Sequence, residues 1–387
     1  MGSKPEARPA DLSGNGLILG VERACGGWLV SFAAEPHTSP QPLWFHIQVT
    51  GLGGAPVTFC WENPDIALGD STQLAALRPV LCPDGGPGER VTETQVEELR
   101  DGRKRIRFAY PGGTESVAAA FCYPYGPEDL DATLTELAGA WERSPIGVTA
   151  QGRELTRLRL AAGEAQPEAG LYLMARQHAG ETPGAWVLDG ILRFLAGPDP
   201  EAEELRAGVD VWVVPFVDLD GVVNGDYGKD ALPWDFNRAW EPLPMRPEVQ
   251  AIQRDLMRFA QVADPRLVID LHAPGHSTPD LYVQLPREQR PIRQQQAAMR
   301  FAELLAQQWP ELGAEHLSRP TRYPSRWNAL STVGSWVWDH LGRTSEVTVE
   351  TSYQSLGGEP LDLDGYREVG RRVARAAWTW LRQSDDA

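Results

Sequence analysis

One stretch constrains this chain more than any other. An apolar, strand-like run, Leu171 to Met174, passes into Ala175-Arg176-Gln177-His178-Ala179-Gly180-Glu181-Thr182-Pro183-Gly184 and then into a helix-like run, Trp186 to Leu195. A His and a Glu three apart at such a turn aim two ligands at one cation. Two histidines and one glutamate leave a fourth zinc position open for water, which separates catalytic from structural zinc.

The text around this turn alternates between strand and helical periods, the pattern of an α/β domain with a largely parallel or mixed sheet flanked by helices. Strands are expected at Leu155 to Leu160, Leu171 to Ala175, Val209 to Val214, Leu267 to Ile269 and Val347 to Val349. Helices are expected at Leu130 to Trp141, Trp186 to Leu195, Pro247 to Ala260, Arg290 to Gln307 and Tyr366 to Leu381. In open α/β sheets, ligands bind beyond the carboxyl ends of the strands. Four polar groups sit there: His178 with Glu181, Asp235-Phe236-Asn237-Arg238, Asp270-Leu271-His272, and Glu350 after Val347-Thr348-Val349.

Before residue 126 the text is different. Trp28 to Phe32, Leu43 to Val49, Val57 to Trp61 and Arg105 to Tyr110 are short, alternating and rich in aromatic or β-branched residues, with Gly- and Pro-rich turns between them. That spacing predicts an antiparallel β-sandwich. A chain of 387 residues exceeds one ordinary core. The expected division is a flexible tail over 1–14, a sandwich over 15–127 and an α/β domain over 128–385. The formal charge of −17 and the lack of any Lys/Arg cluster exclude nucleic acid as the natural partner. The polar start and the lack of an 18-residue apolar span give no signal peptide or membrane anchor. Cys25, Cys60, Cys82 and Cys122 show no CxxC spacing and are expected as buried free thiols. A cytoplasmic protein is expected.

His178, Glu181 and His272 make a zinc set of two nitrogens and one carboxylate, with His276 the competing ligand. Glu350, desolvated at a strand end, has the raised pKa a general base needs, unless it pairs with Arg343 or a helix terminus. Glu346 is the alternative base, but it precedes the strand and is placed at the opposite edge. Asn237-Arg238 offers a planar donor fork suited to a carboxylate. Asp235 and Asp270 are candidates to orient these groups.

In this order the motifs resemble the zinc carboxypeptidases related to carboxypeptidase A, and within them the cytosolic carboxypeptidase branch with its bacterial members. The resemblance is carried by Ala-Arg-Gln-His178-Ala-Gly-Glu181-Thr-Pro-Gly, Asp218-Leu-Asp220-Gly221-Val-Val-Asn224-Gly225-Asp-Tyr, Asp-Phe-Asn237-Arg238-Ala-Trp, Asp-Leu-His272 and Glu350-Thr-Ser. Ile146 to Leu155 fits the entry of that family's catalytic domain, and Phe121 to Tyr125 fits the end of the sandwich that precedes it.

The resemblance implies one Zn2+ on His178, Glu181 and His272, Glu350 as general base, and Asn237 with Arg238 on the substrate's terminal carboxylate. It departs at two places. The branch has an Arg directly after the Tyr matching Tyr227, where this chain has Gly228 and then Lys229. Lys229 is the candidate to supply that charge as a point cation. Many eukaryotic members carry Thr-Ala-Arg upstream of the base, suited to acidic side chains, where this chain has Thr332-Val333-Gly334. Arg322, Arg326 or Arg343 would have to fold back to replace that Arg. Tyr323 is the candidate for a tyrosine over the substrate, with packing as its other role.

The expected function is a zinc metallocarboxypeptidase, a protease that hydrolyses the C-terminal peptide bond of peptides or proteins. The alternatives are a zinc deacylase of N-acyl amino acids and a non-catalytic peptide-carboxylate receptor.

Overall fold

The computed structural model describes residues 4–24, 26–67, 73–160, 167–241, 243, 245–276, 278–286, 290–310, 312, 316–320 and 330–383. Three large sheets organise them.

Two five-stranded sheets face each other in the N-terminal part. One runs Glu6–Pro9, His46–Thr50, Ser116–Ala120, Val80–Pro83, Glu89–Arg90; the other runs Leu17–Ala24, Gly27–Ala33, Val57–Trp61, Lys104–Tyr110, Gln95–Glu98. Alternation along each strand turns one set of side chains inward. Phe32, Phe45, Phe59, Trp61, Phe108 and Phe121 fill the gap, with ring centroids 4.9 to 6.4 Å apart. The sandwich is antiparallel except where Gly27–Ala33 pairs in parallel with Val57–Trp61. The expected flexible tail over 1–14 is corrected by the backbone: Glu6–Pro9 pairs antiparallel with His46–Thr50, so those residues form a sheet edge. Cys60 and Cys122 are buried free thiols and Cys82 is a partly buried one; Cys25 lies outside the described residues.

The third sheet has eight strands in the order Glu142–Val148, Glu154–Leu160, Val209–Val214, Ala169–Ala175, Pro265–His272, Ser345–Thr351, Leu281–Leu285, Ser318–Pro320. Val209–Val214, Ala169–Ala175, Pro265–His272 and Ser345–Thr351 run parallel at its centre. Ala169–Ala175 is buried at every residue, as a strand covered on both faces must be. On one face lie Thr182–Ala196 and Leu363–Gln383. Gly370 lets those two helices touch: a Cβ there would stand 2.0 Å from the Val187 carbonyl oxygen. On the other face, Pro247–Val262 packs Ile252, Leu256 and Phe259 against Tyr172 and Trp212.

The expected strands and helices of this domain are present, most of them longer by a few residues. The exception is Leu130 to Trp141, where the helix is Pro127–Glu136 and Trp141 leads into the strand Glu142–Val148. Pro145 hides that strand in the sequence; it sits at a register shift on the sheet edge, where a missing N–H is tolerated.

The sandwich also reaches the third sheet's rim. His37 Nδ1 lies 2.9 Å from Asp226 Oδ1, the Thr38 hydroxyl donates to Asp226 Oδ2 at 2.7 Å, and Gln41 donates to Asp230 at 2.6 Å. Loop 226–230, which carries Lys229, is thus braced by residues far upstream in the chain.

Candidate active site

Parallel register brings the strand ends together. Ala175 pairs with Leu271, and His272 pairs with Glu350, so three neighbouring strands finish at one level. The chain turns sharply after Ala175, with Arg176 at φ +61°. Arg176 is buried, and its guanidinium donates to the Tyr125 and Ala179 carbonyls, which fixes the loop carrying His178. Glu181 stands at the start of Thr182–Ala196, and its carboxylate accepts from the Ala273 amide at 3.1 Å at the end of the neighbouring strand.

His178, Glu181 and His272 are buried, and their ligand atoms lie within 4.8 Å of one another. His178 Nδ1 stands 2.9 Å from Glu181 Oε1, and His272 Nδ1 stands 2.7 Å from Glu181 Oε2. Each imidazole spends its other nitrogen on a carboxylate: His178 Nε2 faces Asp235 at 3.3 Å, and His272 Nε2 faces Asp270 Oδ2 at 2.8 Å. That is how zinc-ligating histidines are held, with the outer nitrogen engaged and the inner one turned towards the other ligands. The donor set of two imidazoles and a carboxylate fits Zn2+ and would hold one ion. Burial alone would raise the Glu181 carboxyl, but Lys229, His178 and His272 hold it well below the ordinary range. His276, the competing ligand, is not part of this group.

A cavity of about 350 Å³ opens over His178 and His272, and Lys229, Asn237, Arg238 and Glu350 all line it. Glu350 is buried, and one of its oxygens has no hydrogen-bond partner. Burial pushes its carboxyl up; His272 and Lys229 pull against that rise, and Glu181 adds to it. The alternative pairing with Arg343 is absent, since Arg343 is exposed and does not line the cavity. Asp235 accepts from the Asn237 amide at 2.8 Å, and this cap forms the short turn Phe236–Arg238. The Asn237 side-chain oxygen is buried without a partner, while its nitrogen lies 3.4 Å from His272 Nε2.

Lys229 Nζ stands 2.9 Å from Glu181 Oε1 and donates to the Ala273 carbonyl at 3.1 Å. The residue before it is constrained by the same loop. Gly228 has φ +95°, and a Cβ on it would lie 2.5 Å from the Ala179 backbone nitrogen and 3.0 Å from His178 Cα. No side chain fits at 228 without moving the metal loop. Tyr323, Arg322 and Arg326 lie outside the described residues.

Two features were missed or misjudged from sequence. Gln177 bridges the rim: it accepts from Trp240 Nε1 at 2.8 Å and donates to Asp270 Oδ2 at 2.5 Å, so the His272 partner is itself held. Its place between Arg176 and His178 was the available signal. Glu346 is not at the opposite edge. The strand begins at Ser345, so Glu346 belongs to it and lines the same cavity as Glu350.

A parallel-centred sheet thus carries a His, Glu, His group that could hold a metal, a carboxylate and an Asn-Arg pair on one rim. Residues 128–258 match the family described as zinc carboxypeptidase. The chain's relatives by sequence are cytosolic carboxypeptidases. Cytosolic carboxypeptidase 6 of Mus musculus is 27% identical over 290 residues, covering 68% of this chain and 51% of that one. Cytosolic carboxypeptidase 1 of Homo sapiens is 30% identical over 191 residues, covering 43% and 15%. The chain thus spans about half, or less, of the length of the curated relatives it matches.

Among solved structures, a metallo-carboxypeptidase from Burkholderia cenocepacia has a TM-score of 0.80 at 20% identity, with 99% of this chain and 100% of that one covered. One from Pseudomonas aeruginosa, in complex with (2-guanidinoethylmercapto)succinic acid, has 0.79 at 22% identity, with 97% and 99% covered. These likenesses establish the fold, sandwich included.

Proposed function

We propose that this protein is a zinc metallocarboxypeptidase that removes the C-terminal residue of peptide or protein substrates. The observation that carries this reading is that His178 and His272, grouped with Glu181, line one cavity with Glu350 and Arg238. Zinc held there supplies a Lewis acid that polarises a carbonyl and acidifies water. Glu350 accepts the proton of the attacking water, and its raised affinity for protons suits it to pass that proton on to the leaving amine. Arg238 and Asn237 hold the terminal carboxylate, which restricts cleavage to the last bond. Lys229 places a cation beside the oxyanion that forms at the scissile carbonyl. A non-catalytic receptor has no need of a base at Glu350, and nothing in the site favours deacylation over peptide cleavage.

The sandwich, taken as 15–127, braces the loop of Lys229 against the catalytic part, taken as 128–385. Free thiols at Cys60, Cys82 and Cys122 and the names of the relatives support a cytoplasmic location. No helix among the described residues is long and apolar enough to cross a membrane.

The test is release of the last residue from peptides by zinc-loaded protein. Glu350→Gln is expected to lower kcat by about 10²- to 10⁴-fold, the usual worth of a positioned acid–base group. A Gln variant as fast as the wild type refutes the mechanism.

A further inference from the structure

One ionisable group of the cavity plays no part in that chemistry. Glu346, Thr348 and Glu350 alternate along Ser345–Thr351, share one face of the sheet and all line the cavity. At roughly 3.3 Å per residue, Glu346 stands about 13 Å along the strand from the base, well away from the reacting bond. The Thr348 hydroxyl donates to Glu346 Oε1 at 2.8 Å. Gly334 leaves the other oxygen uncovered: a Cβ there would lie 2.3 Å from Glu346 Oε2.

Glu346 has no cationic partner among the described residues. Burial, then Asp270, pushes its carboxyl up to about 8, against smaller opposing effects of Thr348 and His272. A carboxylate kept in a cavity without a cation is costly, and a ligand that brings the cation removes the cost. Ala297, Leu330 and Trp338 also line the cavity and offer apolar surface to a methylene stem. Two arginines share the cavity as well. Arg290 donates to the Ser335 hydroxyl, and Arg293 is exposed, where solvent screens it. An acidic side chain drawn to either would share the space with Glu346.

We propose that Glu346, uncovered by Gly334, sets the side-chain preference of this site, and that the pocket takes the long cationic side chain of a C-terminal Lys or Arg. This rests on the carboxypeptidase reading above.

The experiment uses zinc-loaded protein and peptides that differ only in their last residue: Lys, Arg, Leu or Glu. Lys and Arg are expected to exceed Leu in kcat/KM by about 10- to 100-fold, the range of one hydrogen bond to a charged group, with Glu the poorest. Glu346→Gln, nearly isosteric, lowers the Lys-to-Leu ratio by a similar factor. Gly334→Ala, whose Cβ displaces the carboxylate, lowers it too. Faster release of Leu or Glu than of Lys and Arg, or an unaltered ratio in Glu346→Gln, overturns this proposal and leaves the carboxypeptidase reading intact. Failure to cleave any peptide refutes that reading instead. Calorimetric titration of the Glu350→Gln protein with the same peptides then reads the preference without turnover. A Lys peptide that binds no better than the Leu peptide overturns the pocket assignment.

Discussion

The position after Tyr227 offers a demanding test of the site's construction. Gly228 sits at φ +95°, and a Cβ there would stand 2.5 Å from the Ala179 nitrogen and 3.0 Å from His178 Cα. Both neighbours are backbone, so no rotamer change relieves the contact. Holding a non-glycine residue in such a conformation costs ~1–3 kcal/mol, and forcing an extra carbon into packed surroundings costs about 1–3 kcal/mol more. Gly228→Ala is therefore expected to lose about 2–6 kcal/mol of stability, a drop on the order of 10 °C in melting midpoint. The displaced loop carries His178, so zinc retention during dialysis should fall alongside stability. Scanning fluorimetry and metal analysis on wild type and variant check both. An Ala variant that melts with the wild type and keeps its zinc would show that the loop accommodates a side chain. Gly228 would then not exclude an arginine at that position, nor account for a cation at Lys229 instead.

Further expectations concern single groups. Asp270→Ala removes the partner of His272 Nε2 and should weaken zinc binding by about 10- to 100-fold, read by competition with a chelator; unchanged affinity would deny Asp270 that role. Lys229→Ala should lower kcat more than it raises KM, because a cation that meets only the oxyanion acts in the transition state; the opposite split would place Lys229 in ground-state binding. Asp218 is buried, which pushes its carboxyl up to about 7, with the Gly221 amide opposing. Between about pH 4 and 7 the folded protein then binds a proton that the unfolded chain has lost, so this group's contribution to stability falls as pH rises through that window. Asp218→Asn keeps the cap on Gly221 and removes the titration. Its urea-unfolding free energy should lack up to ~1.4 kcal/mol per pH unit of that decline; parallel wild-type and variant curves would contradict the assignment.

Much of the site was legible because its residues end apolar runs. Val347-Thr348-Val349 before Glu350 and Leu267-Val268-Ile269 before Asp270-Leu271-His272 read as strands by hydrophobicity alone. Residues placed just beyond them had to be at a sheet rim. The Asp235 cap on Asn237 is equally local, a side chain satisfying a backbone amide two residues on. The edges were harder to read. Glu142–Val148 was hidden by Pro145, and Glu346 was put outside its strand because a charged residue interrupts the apolar pattern. Strand length there is set by pairing with Pro265–His272, in which Val268 opposes Glu346. No local propensity encodes that pairing.

By itself, the sequence determined the kinds of groups available and their positions at strand ends, since hydrophobic periodicity and turn chemistry act over a few residues. Tertiary structure alone decided which groups meet. Ala175 with Leu271 and His272 with Glu350 align only through register between strands distant in the chain. The same holds for Gly228, whose constraint comes from Ala179 and His178 across the loop. It holds too for Glu346, whose carboxylate lies where a Cβ at Gly334, on a helix packed against its strand, would stand 2.3 Å away. Contacts of this kind depend on the packing of distant segments, and a local pattern carries no record of them.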